Sequence, residues 1–157
     1  MADAVVTTVS VGKRKVARQA VVSAPAVLIF DLVADPRRHP ELDGSGTVRD
    51  SRVSGPDRLS EGARFSVGMK QFGFPYRITS TVTEFDEGRV IEWRHPLGHR
   101  WRWELEEVGA GATRVTETFD YTRARGARSL ELFGYPARNG DGISATLSAL
   151  ANRFSPA

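Results

Sequence analysis

Residues 89–108 read RVIEWRHPLGHRWRWELEEV, and this stretch decides the fold. Apolar and charged residues alternate on both sides of a Pro-Leu-Gly turn, and side chains two residues apart in a strand share a face. The pattern predicts a β-hairpin of residues 89–95 and 100–108 with one apolar and one charged face. The side chains predicted to point inward are Ile91, Trp93, His95, Trp101, Trp103 and Leu105.

The segments on either side of this hairpin extend the same pattern. After a glycine-rich breaker at residues 43–46, strand-like stretches follow one another, separated by short turns that contain glycine or proline. A succession without helical spacing is typical of an antiparallel meander. With one earlier strand, the sequence predicts seven strands: residues 15–23, 47–53, 63–69, 76–85, 89–95, 100–108 and 113–122.

Helical spacing occurs in two places. Ser23 and Pro25 are suited to the start of a helix that ends before Asp35-Pro36, and a short helical turn is predicted at residues 36–42. At the C-terminal end, a long helix should begin near Pro136 or, if the glycines break it, near Asp141. This helix is the only large element available to cover the apolar face of the sheet. The apolar residues that define it are Ile143, Leu147, Leu150, Ala151 and Phe154.

Size and composition are those of one globular domain, with 157 residues, 40% of them hydrophobic and 26% charged. We expect residues 1–14 to be an N-terminal extension and residues 15–157 to form the domain. No apolar run approaches the roughly 20 residues that span a bilayer, and no secretory signal is recognisable. These features predict a cytoplasmic protein without stable membrane insertion. Because cysteine is absent, disulfides, thiolate nucleophiles and cysteine-bound metals are excluded.

The charge distribution argues against nucleic-acid binding. The net charge is +3 and the pI is near 9.7, but only residues 13–15 form a basic run. Elsewhere arginine alternates with acid, as in Glu92-Trp93-Arg94 and Arg102-Trp103-Glu104. Such alternation is typical of a solvated sheet face with cross-strand pairing.

Glu117 is the candidate for chemistry on the inward face. It shares its strand face with Val115 and Phe119, and a carboxyl group on an apolar wall has a raised pKa unless a cation pairs with it. A general acid or base has this environment. Two alternatives are that a local bulge turns Glu117 outward, or that a nearby arginine neutralises it.

The three histidines do not form a metal site by their spacing. His95 and His99 flank the Pro-Leu-Gly turn, and His39 lies in a helix-end segment, so no third ligand completes a set close in sequence. We therefore expect no metal, and no motif indicates another cofactor. Hydrogen bonding or proton transfer at the mouth of a cavity is the role predicted for His95 and His99.

Four stretches together resemble the SRPBCC superfamily, which includes START domains and pollen allergens. They are residues 21–25 (VVSAP), 35–42 (DPRRHPEL), 90–93 (VIEW) and 101–105 (WRWEL). Within the superfamily, residues 15 to 154 are most similar to the polyketide cyclase/dehydrase and lipid-transport family. The resemblance implies an α+β helix-grip fold, in which a seven-stranded curved antiparallel sheet surrounds the C-terminal helix, with one or two short helices between strands 1 and 2.

The resemblance also implies a deep cavity between the sheet and the last helix. Its opening would lie beside residues 71–75, 95–99 and 123–136. The gate residues would be Phe72, Phe74 and Leu97, which Phe133 and Tyr135 could join. An aromatic wall with a few polar groups suits an apolar ligand, although the same aromatic residues could simply fill a core.

Three functions are compatible with this sequence. The first is binding or carriage of a hydrophobic, ring-containing small molecule, lipid or polyketide-like. The second is a cofactor-independent cyclase, dehydratase or isomerase with Glu117, His95 and Tyr76 as catalytic residues. The third is a partner-binding module or homodimer that docks through Phe72, Phe74 and Leu97. The predicted ligand-binding residues are Phe65, Met69, Phe72, Phe74, Tyr76, Trp93, Leu97, Trp101, Trp103 and Phe119.

Overall fold

The computed structural model describes residues 5–43, 48–71 and 73–156. Its strands are β1 Thr7–Val9, β2 Lys15–Val22, β3 Val48–Ser54, β4 Arg64–Gln71, β5 Phe74–Asp86, β6 Val90–Arg94, β7 Arg100–Gly109 and β8 Ala112–Asp120. Its helices are α1 Ala26–Ala34, α2 His39–Leu42, α3 Ala127–Leu132 and α4 Tyr135–Arg153, with a 3-10 turn at Pro36–Arg38 before α2. The α+β class and the long C-terminal helix are thus confirmed.

All strands form one antiparallel sheet in the order β1-β2-β8-β7-β6-β5-β4-β3. The described residues contain eight strands, so the prediction of seven was wrong by one. The additional strand is β1, in which Thr7 pairs with Gln19 and Val9 with Ala17. Three residues are too few to show an alternating pattern, and this strand lies within the predicted N-terminal extension.

Helix α4 begins at Tyr135, which matches the earlier of the two predicted starts. The helix continues through Gly140. A glycine is needed at this position because a larger residue would have no room. A Cβ atom at Gly140 would be 2.6 Å from Nη2 of Arg18 and 3.1 Å from Cγ1 of Val16. The glycine therefore lets α4 lie close to β2.

Helix α1 begins at Ala26, and its N-cap lies two residues after the predicted cap, Ser23. Pro25 occupies the N-cap position without a side-chain hydrogen bond, so Ser23 does not cap this helix. The backbone of Ala24 is instead held by a hydrogen bond of 2.9 Å to the carbonyl of Val22 and by the hydroxyl of Thr113, 2.7 Å from the carbonyl oxygen of Ala24. Among the described residues, no helix has the length and apolar character needed to cross a bilayer.

A β-bulge in β5 redirects its last residues. Val82 pairs with Trp93, but Glu84 pairs with Glu92, so one extra residue is inserted between them. Because of this insertion, Phe85 returns to the concave face, where its ring contacts Phe30 at a centroid distance of 5.4 Å. Strict alternation would have directed Glu84 inward, so the bulge keeps a carboxylate out of the core.

The convex face carries the charged residues that the alternation predicts. Glu92 accepts hydrogen bonds from Nη1 of Arg100 at 3.0 Å, from Nη1 of Arg102 at 3.1 Å and from the hydroxyl of Thr83 at 2.9 Å. Arg102 also pairs with Glu84 at 2.6 Å. The concave face packs against α4, which lies across β2 and β8 and buries Ile143, Leu147 and Leu150.

Candidate ligand-binding site

The concave face is organised in rows that run across the strands. One row, here called the inner row, consists of Ile91, Trp103, Glu117 and Arg18, which are paired in register from β6 to β2. The next row, called the outer row, consists of Val82, Trp93, Trp101, Phe119 and Val16. Beyond the outer row, His95, His99 and Tyr121 end the face at the edge of the sheet. The rows place one carboxyl group among tryptophan and phenylalanine rings.

Glu117 is buried without a partner for one of its oxygens. Glu117 is only 7% exposed, and no hydrogen-bond partner for Oε2 is found among the described residues. Burial raises the pKa of Glu117 to about 8, and the negative charge of Asp43, at the end of α2, adds to the shift. At neutral pH the group is therefore mostly a carboxylic acid, which can donate a hydrogen bond as well as accept one.

Neither alternative predicted for Glu117 applies in the structure. The β8 strand is regular from Thr113 to Asp120 against β2, so no bulge turns the side chain outward. Arg18 lies directly opposite on β2, but its Nη1 donates to the carbonyl of Ala17 at 3.0 Å and its guanidinium is beneath Gly140. Within the described residues, no ion pair reaches Glu117.

His39 belongs to this wall, although its position in a helix-end segment gave no sign of it. Its Nε2 is 2.7 Å from the carbonyl oxygen of Val33, and since a carbonyl only accepts, Nε2 carries the proton. The ring stacks on Trp93 at 5.0 Å and meets Phe65 edge-on at 5.4 Å. Burial lowers the pKa of His39, so it is neutral at pH 7 and holds α2 against the sheet.

His95 and His99 form a stacked pair at the edge of the face. Their ring centroids are 4.0 Å apart, and Nδ1 of His95 accepts a hydrogen bond of 3.0 Å from the backbone of Leu97. Nδ1 of His99 is buried, and the described part of the chain offers it no hydrogen-bond partner. Burial, together with His95, lowers the pKa of His99 to about 4. His99 shares the face of Trp101 by alternation, although only His95 was included among the predicted catalytic residues.

The loop at residues 95–99 is held against the segment after β8. The backbone of Arg125 donates to the carbonyl of Leu97 at 2.8 Å. Gly98 has a φ of +97°, and a Cβ atom there would be 2.5 Å from the carbonyl oxygen of Arg123. Only glycine fits this position without displacing backbone. Two of the three segments predicted to surround the opening are therefore in direct contact.

The predicted ligand-binding residues occupy different depths. Phe65, Trp103 and Phe119 are core residues, each at most 3% exposed, whereas Trp93 and Trp101 are partly buried. Phe74 and Leu97 are exposed at the end of the sheet where β8 finishes. Phe72 and the side chain of Met69 lie outside the described residues. The structure thus brings together the tryptophans, Phe65 and Phe119.

Tyr76 is not placed near Glu117. Strand β6 ends at Arg94, opposite Thr81, so residues 74–80 of β5 pair only with β4 and extend beyond the rest of the sheet. Strands β5 and β8 are separated by β6 and β7, which amounts to about 14 Å at the usual strand spacing. Tyr76, which is 38% exposed, is therefore a residue of the hairpin end.

Among the described residues, two open depressions are lined by side chains that belong to neither the inner nor the outer row. One, of about 430 Å³, is lined by Lys13, Arg14, Tyr121, Glu131, Gly134, Pro136 and Ala137. The other, of about 860 Å³, lies along the convex side and includes Gln19, Glu104, Arg114 and Thr116. Among the described residues, no cluster of three histidine or acidic side chains is arranged to hold a metal ion.

A curved antiparallel sheet packed around a long C-terminal helix, with a row of aromatic residues on its concave face, defines a helix-grip protein. A family model described as polyketide cyclase/dehydrase and lipid transport matches residues 13–154. The chain belongs to this family.

Similar proteins extend these findings. The uncharacterized protein Rv0088 of Mycobacterium tuberculosis is 50% identical over 153 residues, which cover 95% of this chain and 68% of that protein. The di-domain ARO/CYC BexL of the BE-7585A biosynthetic pathway has a TM-score of 0.66 at 22% identity, over 88% of this chain and 45% of BexL. Major latex-like protein 151 of Panax ginseng has a TM-score of 0.69 at 11% identity, over 90% and 97% of the two chains. The structural similarities support the fold.

Proposed function

We propose that this protein binds a hydrophobic, ring-containing small molecule that carries a carbonyl or hydroxyl oxygen. The observation that carries the proposal is Glu117, a buried carboxyl group with an unpartnered oxygen in the inner row. A buried polar group without a hydrogen bond costs about 1–3 kcal/mol, which a ligand oxygen would recover. The family, which includes lipid-transport proteins in its description, supports a hydrophobic ligand.

The neighbours of Glu117 define the kind of ligand. Trp103 is directly opposite it on β7, and Trp101 and Phe119 lie one row further out. Aromatic rings favour offset stacking or edge contacts with another ring, so a flat ring system is the best complement. Because the Glu117 side chain is a neutral carboxylic acid, it would bind an uncharged carbonyl or hydroxyl oxygen of the ligand. An anionic ligand would meet the charge of Asp43, which already disfavours ionisation nearby.

Binding requires movement of the outer row. Trp103 and Phe119 are almost fully buried. We propose that a ligand reaches Glu117 by displacing Trp101 or the segment at residues 95–99. Trp101 is partly buried, and its ring contacts Phe119 at 4.9 Å. We therefore propose Trp101 as the first aromatic contact of an arriving ligand, with Leu97 beside it at the edge.

The first experiment is native mass spectrometry of the gently purified protein, followed by organic extraction of any bound molecule. The second is titration with 2-naphthol, a two-ring phenol, followed by quenching of tryptophan fluorescence. We expect saturable binding with one molecule per chain. Absence of a co-purified molecule together with absence of 2-naphthol binding would contradict the proposal.

Variants at Glu117 separate hydrogen bonding from charge. Glu117→Gln keeps a neutral hydrogen-bonding group and should retain affinity, whereas Glu117→Leu should weaken binding about 3- to 10-fold through loss of one hydrogen bond. Glu61→Gln, at an exposed loop position, is the matched control and should behave as the wild type. Equal affinity of the Leu variant would exclude Glu117 as the polar contact.

Catalysis by a cyclase, dehydratase or isomerase is a second candidate, favoured by the pKa of Glu117. A pKa of about 8 is close to operating pH, as a general acid or base requires. Because the group is protonated at pH 7, we propose that it first donates a proton to a substrate oxygen. Tyr76 is too distant to assist at the same atom. His95 stacks on His99, and His99 in turn contacts Phe119 of the outer row, so His95 is not in the inner row with Glu117.

The same variant distinguishes the two candidates. Glu117→Gln cannot transfer a proton, so an enzyme should lose turnover while it keeps affinity for the extracted molecule. A binding protein should show no conversion of that molecule in either form, as followed by mass spectrometry over several hours. Unchanged turnover in the Gln variant would exclude Glu117 as the proton donor.

A further inference from the structure

The excess positive charge of the chain is concentrated after β8. Between Thr122 and Arg138 there are four arginines and one glutamate, a net charge of +3, which equals the net charge of the whole chain. Arg123, Arg125 and Arg128 are exposed, and within the described part of the chain none of them takes part in a salt bridge. Glu131 is neutralised by Arg14 at 2.8 Å. The segment therefore presents unpaired cations to solvent.

Exposed apolar side chains lie in the same segment. Leu132 is 81% exposed and Phe133 is 65% exposed, at the junction between α3 and α4. Leu97, which is 51% exposed, is joined to the arginines because its carbonyl accepts from the backbone of Arg125. Neighbouring apolar side chains that project into solvent from a cationic segment mark an interaction surface.

We propose that this end of the molecule docks on bilayers that contain anionic lipids. The docking end is defined as Leu97, Leu132 and Phe133 together with Arg123, Arg125 and Arg128. Interfacial binding scales with the apolar area that enters the headgroup region and with attraction between basic side chains and anionic lipids. The docking end supplies both. We expect a peripheral, reversible association, because the docking end would enter only the headgroup region.

The shape of the docking end favours a bilayer over a folded partner. Leu132 and Phe133 are largely exposed side by side at the end of α3, whereas a stable protein interface needs about 800 Å² of complementary surface on each side. A fluid headgroup layer accommodates a projecting tip without a matching pocket. The proposal rests on this surface alone, so it does not depend on the ligand proposed above.

The test is co-sedimentation of the full chain with vesicles of phosphatidylcholine alone or with 30% phosphatidylglycerol, at low and at 0.5 M salt. We expect binding to the anionic vesicles only, reduced at high salt. Three variants are compared: Arg123→Gln/Arg125→Gln/Arg128→Gln, Leu132→Ser/Phe133→Ser, and the control Val27→Ser/Leu28→Ser. The control removes two exposed apolar side chains of α1, beyond the opposite end of β2.

The expected losses differ among the variants. The arginine variant should bind about 100-fold more weakly, at roughly fivefold for each arginine near the surface. The Leu132/Phe133 variant should lose at least about tenfold, and the control should bind as the wild type. All substituted positions are exposed, and circular dichroism verifies that each variant is folded.

Three results would overturn the proposal. Wild-type protein could fail to bind anionic vesicles at low salt, or it could bind neutral vesicles equally well. Alternatively, the arginine variant could lose binding while the Leu132/Phe133 variant keeps it and duplex DNA competes with the vesicles. That last result would identify a general polyanion surface without apolar insertion.

Discussion

Glu117 retains in the folded protein a proton that the unfolded chain releases at lower pH. Its pKa is about 8 in the fold against 4.5 in the unfolded chain, so the folded state binds more protons between these values. The free energy of unfolding should therefore fall as pH rises from 5 to 8, by about 1.4 kcal/mol per pH unit from this group. Urea unfolding of wild type and Glu117→Gln at pH 5, 6, 7 and 8 measures this slope.

The glutamine variant provides the internal control, because its side chain does not titrate. The difference in unfolding free energy between variant and wild type should shift in favour of the variant as pH rises through this window. Other titrating groups contribute equally to both proteins and cancel. Parallel curves for the two proteins would show that Glu117 is not buried as a carboxylic acid.

His99 should have the opposite effect at acidic pH. The pKa of the folded state is about 4 against 6.5 unfolded, so the unfolded chain binds a proton that the folded protein excludes. Stability should therefore decrease as pH falls from 6.5 to 4. His99→Gln should lose less stability over this range in thermal melts followed by circular dichroism. An equally steep loss in the variant would assign the acid sensitivity to another group.

At the scale of the elements, the contact between α4 and β2 depends on Gly140. In the wild type, an added methyl group would meet Arg18 and Val16, which opposes the gain of about 1 kcal/mol that alanine brings to a helix. In an Arg18→Ala background the guanidinium atoms are gone, and of the three nearest atoms only Cγ1 of Val16, at 3.1 Å, remains. We expect Gly140→Ala to be more favourable by at least about 1 kcal/mol in that background, measured by urea unfolding of the four proteins. Additive effects would mean that Arg18 does not occupy this space.

Elements with long patterns were predictable from the sequence, and short or irregular ones were not. Alternation across residues 89–108 is a local property that the sheet preserves, and it also predicts the charged partners of Glu92. Strand β1 has only three residues, so its identity depends on pairing with β2 rather than on its own sequence. The bulge in β5 lets Phe85 pack against Phe30. This contact joins segments that are distant in sequence, so local alternation does not predict it.

In the candidate site, too, the residues defined by strand alternation were predictable, and those placed by contacts between distant segments were not. Glu117 could be chosen because Val115 and Phe119 share its strand face. His39 could not, because its role depends on where α2 rests on the sheet, which brings its ring to Trp93. Tyr76 was grouped with the site by strand alternation alone, which indicates a face but not how far one strand extends beyond its neighbours.

For the molecule as a whole, β1 protects one edge of the sheet. Without residues 1–11, the outer edge of β2 would present unpaired backbone groups, which promote association between sheets. We expect the shortened chain to keep its fold. Its free energy of unfolding should fall by about 1–3 kcal/mol, which is the size of the loss that a single destabilising substitution causes. Its mass in light scattering should rise with concentration more than that of the full chain. Loss of the circular dichroism spectrum would show instead that the domain includes β1.

The packing of Gly98 on the backbone of Arg123 has a consequence for kinetics. Residues 95–99 and the segment after β8 are joined by this contact and by the hydrogen bond from Arg125 to Leu97. Movement of one segment without the other would break both interactions. If molecules reach the concave face past Leu97, both segments open in one concerted step. Stopped-flow mixing would then give a single relaxation, and its rate would level off at high ligand concentration at the rate of opening.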